Sequence, residues 1–325
     1  MIFINIYWNP TGRNASLAPR VDLTQIQMLS RIVLRAHAAA RQTGLSDAPL
    51  EEAATVLQTA RSGDGTRIVY EMLGEGPPLL LVHGSAALRG LWHALGYVDG
   101  LVSEHRVILP DLRGHGDSDK PHDERAYAME HLVEDVLGVL DDAGVERAHY
   151  FGYSLGGRVG FALGARAPER LRSMVIGGGS HRPQHGALDR VLYPGFSDTI
   201  ASDGIDAFLD QLAARFGAPP DPGVRAIFEG ADPEALVAYF RAADRDPGVP
   251  EIVLRKIELP TLLFAGEHDA ERLADSRSAA AAMPHARLEV VPGTNHLSAL
   301  AATDAVLALV KPFIAGNVRQ GQAGA

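Results

Sequence analysis

Three residues in this chain have the types and order needed for nucleophilic chemistry. Ser154 lies in Gly152-Tyr153-Ser154-Leu155-Gly156, a G-x-S-x-G pattern. Glycines on either side let a tight turn pass close to neighbouring backbone without a Cβ clash, so the hydroxyl can stand clear of the chain. A serine hydroxyl is a weak nucleophile. It needs a base to take its proton, and that base needs an acid to orient it. Downstream, Gly266-Glu267-His268-Asp269 offers an acid and Gly293-Thr294-Asn295-His296 a base. Asp269 is the expected acid and His296 the expected base. Glu267 and His268 flank Asp269 and compete with it. A further stretch, Val82-His83-Gly84-Ser85, is expected to turn the Ser85 backbone N–H toward the same point as that of Leu155. Together these would bind a developing oxyanion, at ~3–4 kcal/mol of transition-state stabilisation per donor.

Each of these residues follows an apolar run. Leu79–Val82, Arg106–Leu109, Ala148–Tyr153, Leu171–Ile176, Thr261–Ala265 and Arg287–Val291 read as strands buried on both faces. Thr55–Ala60 and Arg67–Leu73 flank Gly63-Asp64-Gly65, a hairpin signal. Helical patterns alternate with the runs. In Ala128–Ala143, Met129, Leu132, Val133, Val136 and Leu140 share one face. The expected fold is α/β, with eight mostly parallel strands and helices on both faces. Ser154, Asp269 and His296 then all sit at the C-terminal edge of the sheet, where ligands bind in open α/β folds. A long interval between Leu171–Ile176 and Thr261–Ala265 breaks the rhythm. It reads as an inserted helical cap over residues 180–256, with helices near Ile205–Phe216 and Pro233–Ala243.

Composition removes several classes. The chain has 325 residues, 46% hydrophobic and 22% charged, which fits a globular protein rather than a disordered one. Thirty basic against 40 acidic residues argue against a nucleic-acid partner. The absence of cysteine excludes disulfides and thiol chemistry. No apolar run approaches the ~20 residues of a membrane span, so no stable membrane insertion is expected. Met1–Trp8 lacks the basic start of a signal peptide. A cytoplasmic location is therefore expected. Oligomeric state is open.

With those motifs in place, the chain from about Ala53 to Ile314 resembles the α/β-hydrolase-fold superfamily. Further matching stretches are Trp92 after the His-Gly turn, and Asp111-Leu112-Arg113-Gly114-His115-Gly116-Asp117-Ser118. The resemblance implies a Ser154–His296–Asp269 triad, an acyl-enzyme, a small ester-like substrate and no cofactor. Hydrolysis of a carboxylic ester, lactone or thioester is the expected reaction, and a perhydrolase on the same triad is an alternative. The elbow Tyr153-Ser154-Leu155-Gly156-Gly157-Arg158 also resembles that of a pyruvate-eliminating lyase, the menaquinone-pathway synthase. There, an arginine at the place of Arg158 binds a substrate carboxylate. Arg158, Tyr153 and Trp92 are accordingly expected at the substrate.

Other polar residues carry blander expectations. His181 and His185 are split by Pro183, so no catalytic metal is expected. Gly177-Gly178-Gly179-Ser180 reads as a strand exit, because it lacks the lysine of a phosphate-binding loop. Asp111 reads as a loop-stabilising carboxylate. The aromatics Tyr193, Phe196, Phe208, Phe216, Phe228, Tyr239 and Phe240 read chiefly as cap core. The expected division is an extension over 1–52 with a helix over Asp22–Gly44, a core over 53–179 and 257–315, and a flexible tail over 316–325.

Overall fold

The computed structural model describes residues 57–217, 219–220 and 222–322. The helix expected over Asp22–Gly44 lies outside them. Eight strands form one sheet: β1 (Gln58–Arg61), β2 (Arg67–Leu73), β3 (Pro78–Val82), β4 (Arg106–Pro110), β5 (Ala148–Tyr153), β6 (Leu171–Gly177), β7 (Thr261–Gly266) and β8 (Ala286–Val291). Their spatial order is β1-β2-β4-β3-β5-β6-β7-β8. The β1–β2 and β2–β4 pairings are antiparallel, and every other pairing is parallel. This is the expected α/β-hydrolase architecture.

Period-2 alternation sorts the strand side chains onto two cores. Leu80, Val82, Ile108, Tyr150, Ile176 and Leu263 face one cluster. Leu79, Leu81, Val107, Leu109, Phe151, Tyr153, Val175 and Phe264 face the other. Residues from α3 (Met129–Asp142), α4 (Leu155–Arg166) and α10 (Ala270–Ala282) complete the first core. The second is closed by α1 (Gly90–Ala94), α2 (Tyr97–Leu101), α11 (His296–Ala301) and α12 (Thr303–Gln322). No described helix is long and apolar enough to cross a membrane.

Between β6 and β7 lie α5 (Ala187–Val191), α6 (Phe196–Phe216), α7 (Pro222–Glu229), α8 (Pro233–Asp244) and α9 (Glu251–Leu254). Within α6 the backbone of Gly204 is not helical (φ 86°, ψ −179°), so a helical segment over 205–216 begins where one is expected near Ile205, and a further segment over 196–203 precedes it across the kink. Tyr193, Phe196, Phe208, Phe228 and Phe240 stack on one another at centroid distances of 4.9–6.3 Å and join these helices to the first core. One boundary shifts. The last helix runs through Gly316 to Gln322, where a flexible tail is expected. Val310, Ile314 and Val318 recur at helical spacing and all reach the second core, which carries the helix past the glycine.

Candidate active site

Ser154 is the residue between β5 and α4. Its backbone has φ 54° and ψ −107°, a region that costs an L-residue on the order of 1–3 kcal/mol. Two glycines make the turn sterically possible. A Cβ on Gly152 would lie 2.2 Å from the Gly156 carbonyl oxygen, and one on Gly156 would lie 2.1 Å from that of Val82. Backbone hydrogen bonds hold the strain in place: Ser154 N–H donates to Gly177 O (2.9 Å) and Gly156 N–H to His83 O (3.1 Å).

His296 opens α11, behind an Asn295 capping box that fixes where the helix starts. Its Nδ1 lies 2.6 Å from Asp269 Oδ2, and its Nε2 lies 3.1 Å from Ser154 Oγ. With Nδ1–H donating to the carboxylate, Nε2 keeps its lone pair for the serine proton. Burial lowers the imidazole pKa below its ordinary value, and the Asp269 carboxylate opposes that shift. Asp269 is buried at the N-terminus of α10. Glu267 points elsewhere: its Oε2 accepts from Gly293 N–H at 2.8 Å, bracing the turn before His296. His268 anchors the same turn through its backbone N–H, which donates to Thr294 O.

The His83–Ala86 turn is clamped by two neutral histidines. Leu112 N–H donates to His83 Nε2 (3.1 Å), and His83 Nδ1–H donates to Gly84 O (2.7 Å). Ala86 N–H donates to His115 Nε2 (3.0 Å), and His115 Nδ1–H donates to Arg113 O (2.9 Å). Both acceptor roles require an unprotonated nitrogen. Burial pushes His83 down to about 4 and His115 down to about 3. Ala86 sits at φ 55°, so the clamp holds a strained residue beside Ser85. Leu155 is the first residue of α4, where backbone N–H groups have no partner within the helix. Asp111 accepts from Arg89 N–H (2.7 Å) and Asp117 N–H (2.9 Å), the loop-stabilising place expected for it.

A cavity of about 30 Å³ lies over Ser154, lined among others by Ser85, Leu155, Arg158, Tyr239, Asp246 and Arg272. Tyr239, from α8, hydrogen-bonds the Ser85 hydroxyl. Arg158 is engaged rather than open. Its Nε and Nη2 donate to Asp246 Oδ2, and its Nη1 donates to Ser180 O (3.0 Å) and Arg182 O (2.8 Å).

Two of the expected substrate contacts lie elsewhere. Trp92 is fully buried on the far face of the sheet, 5.2 Å from the Tyr97 ring and 5.0 Å from Phe151. Tyr153 shares that face with Phe151, two residues back on the same strand. Its ring lies 5.4 Å from that of His296, and its hydroxyl donates to the His296 carbonyl. It supports the histidine from beneath. Gly178 passes under His296 as a strand exit, where a Cβ would stand 3.0 Å from Cε1. His181 bonds Val249 O and Ser278. Among the described residues, no three His, Asp or Glu side chains are arranged to hold a metal.

The sequence does not single out Asp246, and Tyr239 is one of seven aromatics in its segment. The sole local signal for Asp246 is its place before Pro247-Gly248, and Gly248 N–H does donate to its Oδ1 (2.9 Å).

Residues 77–219 match the model for the alpha/beta hydrolase fold. A RutD protein of Azorhizobium caulinodans is 35% identical over 219 residues, covering 67% of this chain and 76% of the relative. The chain belongs to the α/β-hydrolase-fold family. The 2-hydroxymuconate semialdehyde hydrolase of Pseudomonas putida is 30% identical over 262 residues, 74% of this chain and 88% of that one. The enol-lactonase from Burkholderia xenovorans LB400 superposes with a TM-score of 0.67 at 26% identity, covering 79% of this chain and 100% of its own. The RutD protein is named as a carbamate hydrolase, and the other two as a semialdehyde hydrolase and an enol-lactonase, so hydrolase chemistry is common to these names while the substrate is not.

Proposed function

We propose that the protein is a serine hydrolase of carboxylic esters or of their near relatives, lactones and thioesters. The carrying observation is the contact line Ser154 Oγ–His296 Nε2–Nδ1–Asp269, at 3.1 and 2.6 Å. Ser154 attacks the carbonyl carbon while His296 takes its proton. Asp269 holds the tautomer and stabilises the imidazolium. The oxyanion rests on the Ser85 and Leu155 amides, with the α4 N-terminus favouring the charge. The proton returns through His296 to the leaving alcohol, leaving an acyl-serine. Water, activated by the same histidine, releases the acid. The lactonase likeness supports acyl–oxygen cleavage.

Arg158 favours hydrolysis over pyruvate elimination. The lyase needs a guanidinium open to a substrate carboxylate, and here Asp246 holds that place. A chain-length series of p-nitrophenyl esters, run beside the succinylated synthase substrate, tests the choice. Ester turnover without pyruvate release is expected. Pyruvate release with poor ester turnover would replace this reading with the lyase.

A further inference from the structure

We infer that Asp246 makes this site select acyl groups without a charge, by occupying the Arg158 guanidinium that an anionic substrate would otherwise use. The inference rests on the serine-hydrolase reading and names the substrate class of that site.

Two arginines line the cavity over Ser154, Arg158 and Arg272. A cation there would ordinarily attract a carboxylate-bearing substrate. Both are already matched. Arg272 donates to Asp275 (3.0 Å) from its own helix and lies within 3.4 Å of Glu271. Arg158 starts one turn beyond the nucleophile and grips Asp246 with two nitrogens, while two backbone carbonyls take the third. Arg158 and Asp246 side chains are each only 9% exposed.

A substrate carboxylate reaching Arg158 would have to share the guanidinium with Asp246 or displace it. Sharing places two like charges side by side in a site of low polarisability. Displacement leaves a buried carboxylate with only the Gly248 N–H, and stranding one partner of a buried pair is strongly unfavourable. An uncharged acyl chain meets neither cost. Asp246 leaves the cap at the end of α8, with Arg158 on the core, so the pair also joins the cap to the elbow helix. Charge selection is thereby built into the cap's closed position.

The test is a matched pair: p-nitrophenyl pentanoate and the mono-p-nitrophenyl ester of glutaric acid, alike in length and different by one carboxylate. The wild type should prefer the neutral ester by about 100-fold in kcat/KM, the scale of an unpaired buried charge. In Asp246→Asn, an amide keeps an acceptor for Gly248 N–H while the charge is gone. The preference should fall at least about tenfold, chiefly through a lower KM for the anionic ester. The gain should vanish in Asp246→Asn/Arg158→Gln. Equal use of both esters by the wild type would overturn the inference without any variant. So would a preference unchanged in folded Asp246→Asn, as judged by its thermal melt. Turnover of neither ester would instead remove the hydrolase reading itself.

Discussion

At the scale of single residues, the choice of acid separates two neighbours that look alike in sequence. Asp269 meets His296 Nδ1, while Glu267 braces the turn before it. Asp269→Ala should lower kcat/KM for an activated ester by about 10⁴-fold, and Glu267→Ala far less. A larger loss from Glu267→Ala would mean that the acid was wrongly chosen. The pH profile adds an independent check. In the proposed mechanism His296 acts unprotonated, and burial lowers its pKa from 6.5. Activity should therefore rise with pH through a midpoint below 6.5. Asp269 raises that pKa, so Asp269→Asn should move the midpoint lower still. The serine, acid and histidine were legible because each follows a strand, and strands read from local apolar runs. The partners of Arg158 and Ser85 were not. Asp246 is 88 positions from Arg158, and Tyr239 is 154 from Ser85, so only tertiary packing reveals them. Trp92 and Tyr153 were misplaced for a related reason. Proximity in sequence to a catalytic turn does not say which face of the sheet a side chain takes.

At the scale of elements, the elbow depends on the absence of side chains. Gly156→Ala puts a Cβ 2.1 Å from the Val82 carbonyl, against backbone that cannot swing away. It should cost about 3 kcal/mol or more and lower the denaturant midpoint accordingly. Gly316→Ala is the contrast. Nothing lies within 4 Å of the added Cβ, and the site is inside α12, so the change should stabilise by about 0.5–1 kcal/mol. The clamp on the Ser85 turn carries its own signature in acid. Folded His83 titrates near 4 and His115 near 3, against 6.5 for the ordinary group. The folded state therefore binds fewer protons than the unfolded state across that window. Their contribution is complete above about pH 6.5 and is lost as pH falls toward 4 and 3. Each should account for about 2 kcal/mol by pH 5. His115→Gln should flatten the slope of unfolding free energy between pH 6.5 and 4, and an unchanged slope would remove the histidine from the clamp. Seven strands were read within a residue of their ends, because in the centre of the sheet continuous burial gives continuous apolar sequence. The edges differ: β1 begins at Gln58 and not at Thr55, and β8, expected to be buried on both faces, is half-exposed at the sheet's end. The break at Gly204 is where the helix near Ile205 was expected to begin, while the end of α12 was not legible, because Gly316 marks a stop by local propensity and packing overrode it.

At the scale of the whole molecule, the sheet from β1 to β8 and both of its cores are built within the described residues, beginning at Gln58. Removing Met1–Asp47 should therefore leave a chain that melts cooperatively and keeps its ester turnover within about twofold. Aggregation, or loss of the cooperative transition, would show that the extension covers part of the core. Eight mostly parallel strands were legible from the alternation of patterns along the chain, but their spatial order, with β4 between β2 and β3, was not. Nor was the way the segment between β6 and β7 meets the rest, since the Arg158–Asp246 and Ser85–Tyr239 contacts join positions far apart in the chain. All of this converges on one hydroxyl. A fluorophosphonate probe, read by intact mass and peptide mapping alongside p-nitrophenyl ester turnover, addresses it directly. The expected result is one adduct per chain, on Ser154, with activity lost in proportion, and neither adduct nor turnover in Ser154→Ala. Full labelling or full turnover in a folded Ser154→Ala variant would contradict the assignment of Ser154 as the nucleophile.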